Sequence, residues 1–172
     1  MITRNELIGL IKTNRALFSD GAMGTVLSQR LPLNTTCLDC VNLSHPAIVE
    51  SVHQDYLMAG SDIIQTNTFG ANRFKLAAQG MDGKLEEINH AAVDIARRAI
   101  AASGKNALIA GDIGPLGVRL APFGRVQLPE AREAFAQQVT SLVNAGVDLI
   151  IIETITDLYE LVEAISAVRE VA

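Results

Sequence analysis

Four short apolar runs, each followed by an amphipathic helical pattern, constrain the fold of this chain more than any other feature. The runs cover residues 16–20, 62–67, 107–112 and 147–153 and begin about 40 to 46 residues apart. Near-continuous apolar strands that alternate with helices are typical of a parallel sheet covered by helices. The sequence therefore predicts the α/β class.

Helical patterns occupy the segments before and between these runs. We predict helices over residues 5–14, 46–60, 84–102, 129–145 and 156–172. Proline in the first turn and glycine at or just after the last turn support the bounds of the second and fourth of these helices.

The helix boundaries carry two further predictions. Ser44 and Thr156 are the expected N-terminal caps of the helices that follow them, because short hydroxyl side chains accept hydrogen bonds from first-turn amides. Residues 26–42 lack a sustained period. This segment is predicted to be a long loop with at most one helical turn.

All four apolar runs end in polar residues: Asp20-Gly21, Thr66-Asn67, Asp112 and Glu153-Thr154. TIM barrels build their sites from many strand ends, whereas doubly wound sheets concentrate them at one switch point. This pattern favours a (β/α)8 barrel with a short N-terminal helix. Four β/α units are half of such a barrel, which usually needs about 250 residues, so residues 1–172 are expected to be the N-terminal half of one domain.

Charge and composition argue against several classes of function. A formal net charge of −5, scattered basic residues and an aromatic content of 4% do not suit a nucleic-acid partner. The apolar runs are far shorter than the roughly 20 residues of a membrane-spanning helix. The N-terminus lacks the pattern of a secretory signal, so the cytoplasm is the expected compartment.

Asp20 and Glu153 are the candidate binding acids, since both are expected at the same rim of the sheet. Together they could bind an ammonium group or a metal ion; alternatively, each caps a helix or pairs with an arginine. Gly21 and Gly24 predict a tight turn over residues 21–25, whose backbone amides could approach a bound carboxylate or phosphate. A ligand that carries both charges would suit this arrangement.

Other motifs carry less weight. Asp112 also follows an apolar run, but it is more typical of a turn-forming residue before Ile113-Gly114-Pro115. No dinucleotide fingerprint, phosphate-binding loop or nucleophile elbow is present.

Cys37 and Cys40 have the spacing of zinc knuckles and redox pairs. No second pair accompanies them, and His45, His53 and His90 lie on or beside predicted helices, so a four-ligand site is not evident. We expect two free thiols in a loop, as in a reducing compartment.

Five blocks of sequence carry a family resemblance. They lie in residues 20–25 (DGAMGT), 42–56 (NLSHP to Tyr56), 59–69 (AGSD to QTNTF), 114–124 (GPLG to PFG) and 145–154 (AGVD to ET). In this order they resemble the homocysteine S-methyltransferase family, which includes the homocysteine-binding module of cobalamin-dependent methionine synthase and betaine-homocysteine methyltransferase.

The resemblance implies a barrel that binds homocysteine, with zinc activating the substrate thiol as a thiolate for attack on a methyl donor. Asp20 and Glu153 match the family positions that hold the amino group of homocysteine, and the turn over residues 21–25 would lie beside the substrate. The expected substrate-binding residues are Asp20, Gly21, Gly24, Thr25, Thr66, Asn67 and Glu153.

The family's zinc ligands are cysteines on later strands, including an adjacent Cys-Cys pair, and residues 1–172 contain none of them. Cys37 and Cys40 do not match those ligands, and relatives commonly carry Glu where Cys40 stands. A thiol with a reference pKa of about 8.5 stays mostly protonated at neutral pH without the metal. The chain alone is therefore predicted to be inactive, and its sequence leaves the methyl donor open among betaine, S-methylmethionine, methylcobalamin and folate-linked donors.

Two alternatives stay open. One is a magnesium- or manganese-dependent lyase or aldolase barrel that uses Asp20 and Glu153 as metal ligands. The other is a non-catalytic half-barrel that self-associates through the exposed edges of its first and fourth strands.

Overall fold

The computed structural model describes residues 1–13, 16–32 and 35–172 and shows a parallel sheet surrounded by helices. Its strands are β1 (Ile63–Gln65), β2 (Leu108–Ile113) and β3 (Leu149–Ile152). Its α-helices are α1 (Arg4–Lys12), α2 (Met23–Arg30), α3 (Val41–Ser44), α4 (Pro46–Ala59), α5 (Arg73–Ala78), α6 (Leu85–Ser103), α7 (Leu128–Ala145) and α8 (Leu158–Val171), and a short 3-10 helix covers Asp82–Lys84.

β2 is the central strand and pairs in parallel with both neighbours. Ile64 of β1 lies opposite Ile109, and Ile150 of β3 lies opposite Gly111. The strand order in space follows the order in the chain, as in a barrel and unlike a sheet whose order reverses at a switch point. The predicted α/β class with a parallel sheet is confirmed.

The first predicted strand runs beside β1 without becoming a full strand. Ser19 forms a single parallel bridge with Ile63, and the amide of Asp20 donates to the Ile63 carbonyl at 2.9 Å. The amide of Phe18 donates to the Asp62 carboxylate instead of a backbone carbonyl, which ends the ladder there. The described sheet thus contains three strands, with Ser19 joined to β1 by a bridge alone, and the four predicted β/α units are not confirmed.

The main core lies between the sheet and helices α6, α7 and α8. Ile113 of β2 and Phe135 and Leu142 of α7 have no exposed surface. The helices pack on the sheet because each has an apolar face that must be buried, and this packing gives the predicted α/β layers. Gly60, Gly104 and Gly146 end α4, α6 and α7 in left-handed conformations, in agreement with the predicted helix ends.

The predicted loop over residues 26–42 is wrong, because most of α2 and the start of α3 lie within it. Between residues 26 and 32 the buried apolar side chains are Leu27 and Leu31. Two such residues are too few to show a helical period in the sequence. Positions 14, 33 and 34 of the predicted helix and loop lie outside the described residues.

Two predicted caps are also wrong. Asp157, not Thr156, caps α8, since its carboxylate accepts the amide of Tyr159 at 2.8 Å. Ser44 is the last residue of α3, and His45 precedes α4 without a side-chain cap. No helix within the described ranges is long and apolar enough to cross a bilayer.

His53 is a fully buried polar residue of α4. Neither ring nitrogen has a hydrogen-bond partner within the described part of the chain. Burial lowers the pKa of His53 to about 4, because an apolar environment disfavours the charged ring. The folded protein therefore holds the neutral form at neutral pH.

We expect the free energy of unfolding to fall as the pH drops from about 6.5 towards 4, because only the unfolded chain then gains a proton at this ring. A folded pKa of about 4 corresponds to a loss of roughly 3 kcal/mol once the pH reaches that value. In urea denaturation, the free energy of unfolding of His53→Leu should not show this part of the decrease between pH 7 and pH 4. His45→Gln serves as the matched histidine control, and an acid loss in His53→Leu as large as that of the unsubstituted chain would contradict the assignment.

Candidate functional site

A cavity of about 640 Å³ opens at the carboxyl end of the sheet. All seven residues predicted from the sequence line it, namely Asp20, Gly21, Gly24, Thr25, Thr66, Asn67 and Glu153. Gln65, Asp39, Lys75 and Asp112 line it as well. The strand-end pattern thus brings distant parts of the chain into one space.

Asp20 is oriented by the residue at the end of β1. Its Oδ2 accepts the Gln65 amide at 2.9 Å, and its Oδ1 accepts the Gln65 side chain at 3.4 Å and the Ser19 hydroxyl at 3.2 Å. Burial raises the pKa of Asp20, although these hydrogen bonds oppose the shift. A carboxylate has about four acceptor positions, so Asp20 keeps capacity for a ligand donor.

The predicted tight turn after Asp20 is the start of a helix. Helix α2 begins at Met23, so Gly24 and Thr25 belong to its first turn, and neither Gly21 nor Gly24 has a left-handed backbone. Gly21 is needed for space, because a Cβ there would lie 3.0 Å from the Tyr56 hydroxyl. Within the described residues no side chain caps α2, which leaves first-turn amides and the positive end of the helix dipole at the cavity.

Thr66 and Asn67 contribute mainly by holding the cavity wall. The Thr66 hydroxyl accepts the amide of Asp112 at 3.1 Å and lies 2.6 Å from the Thr68 hydroxyl. The Asn67 side chain donates to the Leu38 carbonyl at 2.7 Å. Both residues are almost fully buried, so their polar groups are largely committed to the protein.

Glu153 follows β3, and its position is set by its own backbone hydrogen bond and by the backbone conformation of the next residue, Thr154. Its amide donates to the Ile113 carbonyl at 3.0 Å, which continues the ladder beyond the strand. Thr154 then has a φ of 59°, a left-handed conformation that is unusual for a β-branched residue. Its hydroxyl donates to Glu153 Oε2 at 3.4 Å. Nothing in the residue type signals this strained position, which the sequence did not predict.

Asp112 lies inside β2 and not in the turn that the sequence favoured. It is 6% exposed and lines the cavity beside Glu153. Burial, together with the charges of Glu153, Asp39 and Asp20, raises the pKa of Asp112 to about 8. The cavity is therefore lined by a third acid after Asp20 and Glu153, at a position that the sequence favoured as a turn-forming residue.

Asp39 and Lys75 are cavity residues that the sequence did not single out. Asp39 Oδ1 accepts the Gly70 amide at 2.8 Å, and Lys75 Nζ lies 4.5 Å from the centre of the Phe69 ring. Burial raises the pKa of Asp39 and lowers that of Lys75. No periodic pattern marks either residue, so only the tertiary structure identifies them.

Cys37 and Cys40 are joined in a disulfide, so the expectation of two free thiols is wrong. Among residues 1–13, 16–32 and 35–172, no group of three or more His, Cys, Asp or Glu side chains is placed to hold a metal ion. Zinc sites need three or four such ligands. The described residues therefore do not fit a zinc centre.

Comparison with known proteins places this chain in a family. The sequence model of the homocysteine S-methyltransferase family matches residues 17–172. The chain belongs to this family. The match includes every residue predicted to line the site.

Among homocysteine S-methyltransferase relatives, the methionine synthases of Mycobacterium tuberculosis and Mycobacterium leprae are both 29% identical to this chain. These matches cover 92% and 90% of the chain and 14% of each relative. The metallated form of the Escherichia coli homocysteine methyltransferase MmuM superposes with a TM-score of 0.79 at 27% identity. That superposition covers 94% of this chain and 62% of MmuM.

We expect Thr154→Gly to raise the free energy of unfolding by about 1 kcal/mol, because glycine removes the left-handed strain while adding some chain entropy. Urea denaturation checks the change. Thr154→Ala is the matched control, since it also removes the hydroxyl but keeps a Cβ and hence the strain. An equal gain in both variants would show that the backbone at Thr154 is not the cause.

Proposed function

We propose that this chain forms the amino-acid-binding rim of a zinc-dependent homocysteine S-methyltransferase, which transfers a methyl group to the homocysteine thiol and yields methionine. Family membership supports the reaction class. The observation that carries the choice of ligand is one cavity lined by Asp20, Glu153 and the uncapped start of α2. We further propose that these residues act in the cytoplasm within a TIM barrel whose N-terminal half is residues 1–172.

The charges of the cavity suit the amino-acid end of homocysteine. The ammonium group would lie between the carboxylates of Asp20 and Glu153, which supply charge-assisted acceptors. The carboxylate would accept hydrogen bonds from first-turn amides of α2, where the helix dipole favours an anion. Gln65 and Thr154 would keep the two acids in place through the hydrogen bonds already described.

The described residues provide no ligand set for the metal, and they do not identify the methyl donor. Zinc, when bound, would lower the pKa of the substrate thiol, but the described residues offer no ligand set for it. We propose that the zinc ligands belong to other parts of the domain, since the chain spans 62% of MmuM. The chain alone would then bind homocysteine without transferring a methyl group.

The first test is calorimetric titration of this chain with L-homocysteine. Asp20→Asn and Glu153→Gln should each weaken binding roughly 10- to 100-fold, because each removes a charge-assisted hydrogen bond. 4-Mercaptobutyrate, which lacks the amino group, should bind all three proteins with similar, weak affinity.

Matched controls are Asp82→Asn and Glu86→Gln, which lie outside the cavity lining and should bind like the unsubstituted chain. Homocysteine binding that is indifferent to Asp20 and Glu153 would contradict the proposal. Magnesium binding at these acids without homocysteine binding would favour a metal-dependent lyase or aldolase instead. No three-ligand group in the described residues supports that alternative.

A second proposal concerns self-association, and two surfaces support it. β3 has a ladder partner on one side within the described sheet, and α8 exposes Leu158, Tyr159 and Val162. Open sheet edges and apolar helix faces favour pairing with another chain.

We therefore expect sedimentation velocity at micromolar concentration to show dimers or larger species of this chain. Val162→Glu should shift them towards monomer, because it places a charge in the apolar face of α8. Ala101→Glu, on an exposed part of α6, should leave the distribution unchanged. A monomeric, well-folded unsubstituted chain would contradict this proposal.

A further inference from the structure

Asp112 is held rigidly by its backbone while part of its carboxyl group remains unpartnered. Its amide donates to the Thr66 hydroxyl at 3.1 Å, and its carbonyl accepts the Thr68 hydroxyl at 2.7 Å. The residue is 6% exposed and lines the cavity, yet Oδ1 has no hydrogen-bond partner within the described residues. Buried acceptors in native proteins are nearly always satisfied, so this oxygen points to a ligand.

The groups that surround Asp112 are mostly negative. Glu153 after β3, Asp20 beside β1 and Asp39 in the loop before α3 lie close enough for their charges to raise the pKa of Asp112. Lys75 of α5 is the one cationic side chain among the described residues that line the cavity. It lies above the Phe69 ring, and the charges of Asp39, Glu160 and Asp112 act on its pKa.

Asp112 and Glu153 are two acids whose negative charges repel each other, and burial adds to the cost of ionising both, so one of them tends to stay protonated. Asp112 is the more buried of the pair, and burial with the neighbouring charges keeps its pKa near 8. At neutral pH and without a ligand, Asp112 is therefore mostly in its neutral, protonated form. A cation bound in this space would stabilise the ionised carboxylate of Asp112 and so favour the loss of its proton.

We propose that Asp112 is a third contact for the ammonium group of the substrate and releases its proton to solvent when that group binds. This inference rests on the proposed amino-acid-binding function. It adds that Asp112 ionises to a carboxylate, that the proton goes to the buffer, and that the ammonium group keeps all of its own protons. Binding would then strengthen as the pH rises, since proton release is favoured at higher pH.

Calorimetry of L-homocysteine binding at pH 7 in phosphate and in Tris tests the proposal, because released protons add the ionisation heat of the buffer. The unsubstituted chain should release roughly one proton per homocysteine bound, and its affinity should rise up to about tenfold per pH unit between pH 6 and 7.5. Asp112→Asn keeps the shape of the side chain and should release none, with a nearly flat affinity over that range. Asp20→Asn should bind more weakly yet still release the proton.

The outcomes separate the two proposals. Homocysteine binding with the same heat in both buffers, or undiminished proton release in Asp112→Asn, would overturn this inference alone. No homocysteine binding to the unsubstituted chain would overturn the proposed function, and the inference with it. If Asp112→Asn does not fold, the proton count of the unsubstituted chain and of Asp20→Asn still decides the question.

Discussion

Parallel hydrogen bonding of β2 to both of its neighbours determines where the strand-end residues of the site lie. The ladder extends past the strands, through the Thr66 amide to the Ala110 carbonyl at 2.8 Å and the Glu153 amide to the Ile113 carbonyl at 3.0 Å. In a parallel sheet these carboxyl ends share one edge. Acids that are far apart in the sequence therefore converge at one edge of the sheet, because their segments are hydrogen-bonded side by side. The cavity follows from this ladder.

A set of buried side-chain amides holds the loops that leave this edge. Asn42 and Asn67 bind each other at 3.0 Å, and the Asn42 side chain also donates to the Asn67 carbonyl at 2.8 Å. Gln138 of α7 donates to the Thr68 carbonyl at 2.7 Å, and Asn89 of α6 donates to the Ala71 carbonyl at 2.9 Å. Buried backbone groups beyond a strand lack ladder partners, and leaving them unpaired costs roughly 1–3 kcal/mol each. These amides replace the missing ladder and fix the wall of the cavity.

The sequence alone predicted those parts of the structure that depend on one local pattern of residues. Apolar runs and helical periods predicted the three strands and the long helices, and the polar residues after the runs identified the cavity lining. Helix α2 was missed because its few buried residues show no period. The disulfide and the strain at Thr154 depend on backbone geometry that residue types do not encode. Asp112 was underrated because its burial and its closeness to the charge of Glu153 arise from packing between separate elements.

The balance of charge in the cavity limits which ligands it can hold. Asp20, Asp39, Asp112 and Glu153 outnumber Lys75, and Coulomb repulsion among partly buried carboxylates is far stronger than among carboxylates in water. An empty cavity reduces this repulsion by keeping one acid protonated, and an ammonium group would reduce it by supplying a positive charge. A dicarboxylate would add repulsion, and a simple cation would leave the amides of α2 without an anion. A zwitterion satisfies both ends of the cavity at once, which is the electrostatic reason that an amino acid fits this arrangement better than either singly charged class.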